Sequence, residues 1–268
     1  MKHKEKLRDK IVNTWLQFKS LIRYWFNVKP NYNLPEGVGN LIFEDNFKTL
    51  NLEKWHVGQR WGEYHPDSLY QYYGTVENGC VQTGEEGLSL WHKFIPKKFV
   101  HNGKELEIKN CVGLIGSNIT FQNVYYEADI ILPDGPGYWP AFWVTGSVSW
   151  PPEIDFFEGY SDKKSRYRVA SNFFIRRFGE VFMLGARGHK LIKDNKKVYR
   201  FGCIHAKDRI EIFYDGYLVR TLTSKEYLNA YSEPMMIVLN HALWMENAQH
   251  IKEETRMIVK ALKVYDLK

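Results

Sequence analysis

Cysteine is scarce in this chain. Its 268 residues include three, Cys80, Cys111 and Cys203, too few and too odd in number for a disulfide framework. No apolar run of about 18 residues or more exists, which argues against a membrane-crossing helix. Repeats and low-complexity tracts are absent. Apolar residues make up 44% and charged residues 25%, which excludes a collagen, a coiled coil or a wholly disordered chain. Excess charge is missing from most of the chain too. The net charge is +6, but residues 1–30 hold eight Lys or Arg against Glu5 and Asp9, so the other 238 residues balance at 29 basic and 29 acidic. A nucleic-acid binder needs a basic stripe on its folded body, so no nucleic-acid partner is expected. Aromatics are abundant, at 16% with nine Trp and seventeen Tyr. They suit a large β core, a surface for flat ligands, or both.

Two segments follow from the pattern. In residues 5–27, Leu7, Ile11, Trp15, Phe18, Ile22 and Trp25 recur at spacings of three and four, one apolar stripe on a helix. The stripe can pack on the body or on a partner chain, and a basic amphipathic helix can also lie on a membrane surface. A cleavable secretory signal fits poorly, because Lys19 and Arg23 interrupt the stretch and no small-residue cleavage site follows. Residues 29–37, with Pro30, Pro35 and Gly37, read as a linker. The expected division is therefore 1–36 as helix and linker and 37–268 as the functional body.

From residue 40 the period becomes 2. Runs at 41–47, 69–76, 88–94, 121–132, 138–145, 153–160, 166–174, 198–205, 209–214, 217–222, 235–239 and 256–265 read as strands between Gly, Asn and Asp turns. Asp215-Gly216 between two Tyr is a hairpin signal. A dozen strands with almost no helix predict an all-β body, a two-sheet β-sandwich or jelly roll, with the amphipathic helix in front.

The chemistry concentrates at 135–160. Glu153 and Asp155 alternate with Ile154 and share one face of a strand. Strict alternation would send Glu158 to the opposite face; a one-residue bulge returns it. Three carboxylates then line one strand, with Glu153 and Glu158 about four steps, or roughly 13 Å, apart along the backbone. Glycosidic hydrolysis with retention uses two carboxyl groups that close to about 5–5.5 Å, one attacking and one protonating the leaving oxygen. Three like charges cannot all ionise cheaply, so at least one pKa must rise. Acids spaced along a strand are most often a solvated face, but here Trp139, Trp143 and Trp150 stand beside them. Pyranose C–H faces stack on such rings.

The stretch Glu153-Ile-Asp-Phe-Phe-Glu158, preceded by Leu132-Pro-Asp-Gly-Pro-Gly-Tyr-Trp-Pro-Ala-Phe-Trp143, resembles glycoside hydrolase family 16. So do the opening segment with Phe43, Asp45 and Trp55, the hairpin at 210–216, the strand at 235–240 and the closing strand at 258–265. The resemblance implies a two-sheet jelly-roll β-sandwich, concanavalin-like, with an open cleft on its concave sheet, and a retaining endo-β-glycosidase acting on a polysaccharide. It assigns Glu153 as nucleophile, Glu158 as general acid/base and Asp155 as the acid that tunes the nucleophile. Trp139 and Trp143 then lie near the central sugar subsites, Trp150 beside the nucleophile, and Asn172 where members place a polar cleft residue, often His. The longer Glu-x-Asp-x-x-Glu spacing resembles laminarinases, agarases and carrageenases rather than lichenases, implying β-1,3-glucan or a galactan. A sulfated galactan would want cations, for which Arg166, Arg168, Arg176 and Arg177 are candidates. Many members carry a structural calcium on the convex side. The closing-strand Asp ligand aligns here with Lys260 or Ala261, so no metal and no cofactor is expected. The resemblance leaves two alternatives open. One is a non-catalytic glycan-binding module, which typically loses a glutamate kept here; the other is a transglycosylase. A polysaccharide substrate implies an extracellular or surface-associated setting.

Overall fold

The computed structural model describes residues 6–64, 69–162, 164, 167–185, 187–190, 198–245 and 248–268. In chain order, helix α1 (Leu7–Trp25) precedes β1 (Val38–Asp45), β2 (Trp55–Val57), β3 (Gln71–Tyr73), β4 (Val81–Gly84), β5 (Gly87–His101) and β6 (Lys104–Val112). Then come β7 (Leu114–Phe121), β8 (Val124–Ile131), β9 (Tyr138–Gly146), β10 (Glu153–Ser161), β11 (Tyr167–Arg177) and β12 (Glu180–Met183). The chain closes with β13 (Arg187–Lys190), β14 (Val198–His205), β15 (Ile210–Tyr214), β16 (Tyr217–Leu222), the short α2 (Lys225–Leu228), β17 (Met235–Leu243) and β18 (Thr255–Leu267).

Two sheets face each other, as the alternating pattern predicts. One runs β16-β15-β14-β8-β18-β5-β6-β3, with β1 on β18 and β4 on β5; the other runs β12-β11-β10-β9-β17-β7-β2, with β13 on β11. Side chains from both inner faces, among them Tyr126, Ile130, Phe142, Phe156, Phe201, Ile237 and Val259, form one core. Each large apolar side chain removed from water there contributes about 1.5–3 kcal/mol. The hairpin at Asp215-Gly216 forms between β15 and β16 with both residues at positive φ. Gly216 is needed twice over, since a Cβ there would also strike the Asn31 carbonyl of the segment after α1.

Three local expectations change. The run at 121–132 is split by Asn123 at φ 54° into the end of β7 and all of β8. The run at 69–76 shortens to β3, and 88–94 is only the start of the long β5. The β5–β6 hairpin was missed over most of its length, because beyond Phe94 exposed and half-buried residues predominate, leaving little apolar alternation to read.

Helix α1 packs against β16 and β13 with the face opposite to its apolar stripe. Asp9, Asn13, Leu16 and Ser20 are buried, whereas Leu7, Ile11, Trp15, Phe18 and Trp25 are exposed. Asp9 accepts from the Thr223 hydroxyl and from the Thr223 and Ser224 N–H groups, and Asn13 exchanges two bonds with the Thr221 backbone. Asp9 in the first turn and Arg23 in the last suit the helix dipole, and Asn27 at φ 48° turns the chain out of the helix.

The cysteines are all buried thiols, with Cys80 Sγ 2.8 Å from Cys111 Sγ and Cys203 elsewhere in the core. A calcium on the closing strand is not supported by the residues present. Ala261 pairs with Asp129, and both Asp129 oxygens are already held by the Arg200 guanidinium at 2.7 and 2.8 Å. Among the described residues no cluster of His, Cys, Asp or Glu is placed to hold a metal ion.

Candidate active site

The geometry turns on one extra residue in β10. Against β9, Asp155 pairs with Trp143 and Phe157 with Phe142, so Phe156 is the inserted residue. The same shift separates Asp155 from Glu158 against β11. Without it, either Phe156 or Phe157 would point out of the core. With it both rings are fully buried, Phe156 4.6 Å from Phe142 and Phe157 stacked 3.9 Å from Phe201. Burying both rings offsets the lost ladder bond, and Glu158 returns to the outer face with Glu153 and Asp155. The Tyr214 hydroxyl reaches through the core and donates to the Phe156 carbonyl at 3.0 Å, satisfying an acceptor at the bulge.

That outer face is the floor of a cleft of about 690 Å³. Cross-strand partners share a face, so β9 adds Trp139, Ala141 and Trp143, while β11 brings Asn172 opposite Asp155 and β17 brings Asn240 opposite Ala141. Gln71 and Tyr73 of β3 and the loop residues Gln59, Trp61 and Tyr64 form a wall. All seven candidate residues are therefore brought together. Six line the cleft directly, and Asn172 lies buried among them, donating to Glu158. Asn240, Gln71, Tyr73, Gln59, Trp61 and Tyr64 were not singled out from the sequence. Only Asn240 left a signal there, at the end of the 235–240 run.

The tryptophans are not core residues. The Trp139 indole donates to Glu158 Oε1 at 2.9 Å, Trp150 to Glu153 Oε2 at 2.7 Å, and Trp143 to Asn240 Oδ1 at 2.7 Å. Each ring is thus fixed by its N–H. Trp139 also stacks on Tyr160, with centroids 5.5 Å apart.

Burial pushes all three carboxyl groups up from their ordinary range. Glu153 is raised to about 8 by burial and then by the charge of Glu158, against the favourable Trp150 N–H. Asp155 is raised well above its usual value by burial and by both neighbouring glutamates. Glu158 is raised by burial, opposed by bonds from Asp155, Trp139, Tyr160 and Asn172. The trio therefore holds protons at neutral pH that isolated acids would lose. Two buried atoms here, Asp155 Oδ2 and Asn172 Oδ1, have no hydrogen-bond partner in the protein.

Of the arginines proposed as sulfate clamps, Arg168, Arg176 and Arg177 are not among the residues that line the cleft. Arg176 donates to the Trp150 carbonyl and so steadies the cleft rim, Arg177 pairs with Glu226, and exposed Arg168 sits opposite Tyr160 on the same face of β11 as Asn172 but beyond the cleft lining. Arg166 lies outside the described residues.

The chain is similar to several known proteins. Endo-1,3-1,4-β-glycanase EglC of Rhizobium meliloti is 22% identical over 120 residues, 44% of this chain but only 24% of EglC. Endo-β-1,3-glucanase from Pyrococcus furiosus superposes with a TM-score of 0.68 at 22% identity, covering 85% of this chain and 94% of that one. A LamA variant from Zobellia galactanivorans, in complex with laminaritriose and laminaritetraose, gives 0.67 at 20% identity, covering 85% and 100%. The family model for glycosyl hydrolases family 16 matches residues 70–259, which include all seven candidate residues, and the chain belongs to that family.

Proposed function

We propose that this glycoside hydrolase is a retaining endo-β-glycosidase that cuts internal linkages of a β-1,3-glucan. The observation that carries the reading is the bulge at Phe156, which puts Glu153, Asp155 and Glu158 on the floor of one open cleft between tryptophans. An open groove suits a polymer entering sideways, which supports internal cleavage.

In the first step the Glu153 carboxylate attacks the anomeric carbon while Glu158 gives its proton to the departing glycosidic oxygen. The C–O bond to the leaving sugar breaks, and an ester to Glu153 forms. In the second, Glu158 takes a proton from water, the water oxygen attacks the same carbon, and the ester bond breaks. Two inversions leave the configuration unchanged. The Trp150 N–H favours charge on Glu153. Asp155, buried between the glutamates, is itself held protonated well above its usual range, so the trio carries fewer than three charges.

Two observations support a neutral glucan over a sulfated galactan. The described cleft lining holds acids, amides and aromatics but no Lys or Arg. The structural relatives named above are a β-1,3-glucanase and a protein bound to laminari-oligosaccharides. The test is a product assay on laminarin, mixed-linkage glucan, agarose and carrageenan, with wild type beside Glu153→Gln and Glu158→Gln. Laminarin should yield oligosaccharides whose first-formed anomer is β by NMR, and both variants should abolish them. An α product, or cleavage of carrageenan alone, would overturn the mechanism or the substrate respectively. Glycan binding without products would point to a binding module, and longer chains formed from oligosaccharides to a transglycosylase.

A further inference from the structure

Helix α1 is built inside out for a surface helix. At 3.6 residues per turn, its buried residues Asp9, Asn13, Leu16 and Ser20 lie on one face and its apolar stripe on the other. The stripe is open to solvent, with Leu7 73%, Ile11 62%, Trp15 55% and Trp25 63% exposed. Exposing such a contiguous stripe costs solubility unless something covers it. The body cannot, because hydrogen bonds from Thr221, Thr223 and Ser224 to Asn13 and Asp9 fix the helix by its polar side.

The charges identify the cover. Helical spacing puts Arg8 and Lys19 along one edge of the stripe and Lys10 along the other, and the Lys19 ammonium lies 5.3 Å from the Trp15 ring. From residue 6 to 29 the sole acid is Asp9, which is buried. Residues 1–30 carry the whole net charge of the protein, so attraction to an anionic surface would act at this end. A second copy of the chain would bring the same cations together and is disfavoured. No helix among the described residues is long and apolar enough to cross a bilayer. An apolar stripe with paired tryptophans and basic edges has the composition of a helix lying in the headgroup region, rings inserted and cations on the phosphates.

We propose that α1 docks the protein on an anionic lipid bilayer through Leu7, Ile11, Trp15, Phe18 and Trp25, oriented by its own polar contacts with the body. The inference is independent of the substrate assignment. The test is flotation of the full chain with phosphatidylcholine vesicles, with and without phosphatidylserine, followed by tryptophan emission. Wild type should bind the anionic vesicles at least about ten-fold more than the neutral ones, with a blue shift and with loss at high salt. Paired Arg8→Glu and Lys19→Glu should cut binding by more than about ten-fold, at about five-fold per cation removed. Paired Trp15→Glu and Phe18→Glu should abolish it. Both pairs lie on the solvent side and should keep the wild-type melting temperature. Equal binding to neutral and anionic vesicles, no binding, or binding indifferent to these changes would overturn the proposal. So would a dimer in sedimentation that Trp15→Glu dissociates, which would make a second copy the occupant.

Discussion

Asp155 in the cleft and Asp9 on the helix are each 2% exposed, yet the structure treats them differently. Asp9 accepts from two backbone N–H groups and a hydroxyl contributed by the chain just after β16. Asp155 leaves Oδ2 without a partner and faces two further carboxyls. A buried acid surrounded by donors fastens one element to another. A buried acid short of donors, in the company of like charges, has its protonation set for chemistry. Burial alone therefore does not distinguish the two roles; the inventory of partners does.

The largest effect that would sharpen this contrast is on turnover. Glu158→Gln should lower kcat on laminarin by about 10³-fold with the fold intact, since general acid–base catalysis contributes about 10²–10⁴. Rescue by a substrate whose leaving group needs no proton would separate acid loss from misfolding. Next comes Asp9→Ala, which strands three donors and should cost about 1–3 kcal/mol in urea unfolding. Its activity per folded molecule should stay at the wild-type level. Lost activity in a folded Asp9→Ala protein would break the division of roles.

A subtler separation uses pH. The cleft acids have folded pKa values raised above their unfolded ones of about 4. Their contribution to stability is therefore fully present below about pH 4 and is lost as pH rises through the folded values, to about 8 for Glu153. Wild type should melt at lower temperature at pH 8 than at pH 5. Asp155→Asn, which cannot ionise, should flatten that slope, and thermal melts across the range would read it. A steeper slope in the variant would contradict the shared-proton description. Smallest of all, Tyr214→Phe removes the donor at the Phe156 carbonyl and should cost about 1 kcal/mol. It should lower kcat several-fold with KM little changed, because it loosens the bulge without touching the cleft.

Much of the site was legible because its signals are local. Alternation puts Glu153 and Asp155 on one face, and a single inserted residue is enough to bring Glu158 there as well; that the insertion also buries both Phe156 and Phe157 only the structure shows. The aromatic run before them placed three tryptophans beside the acids. Asn240, Gln71 and Tyr73 were harder to see, because each arrives from a strand far away in sequence and becomes a cleft residue only through pairing. The loop at 59–64 carried no periodicity to read. For the proposed arginines, local charge and proximity were visible, but their direction was not.

The helix marks the boundary most sharply. The sequence by itself determined that residues 5–27 carry an amphipathic helical pattern, that the body is an alternating β structure, and that Glu153 and Asp155 share a strand face which one inserted residue would let Glu158 join. Spacing and side-chain chemistry suffice for these, because they are properties of neighbouring residues. Only the tertiary structure decided which side of α1 meets the body and which distant strands wall the cleft. Those depend on whether Thr221, Thr223 and Ser224 are positioned to satisfy Asn13 and Asp9, and on ladder partners brought together across the whole chain.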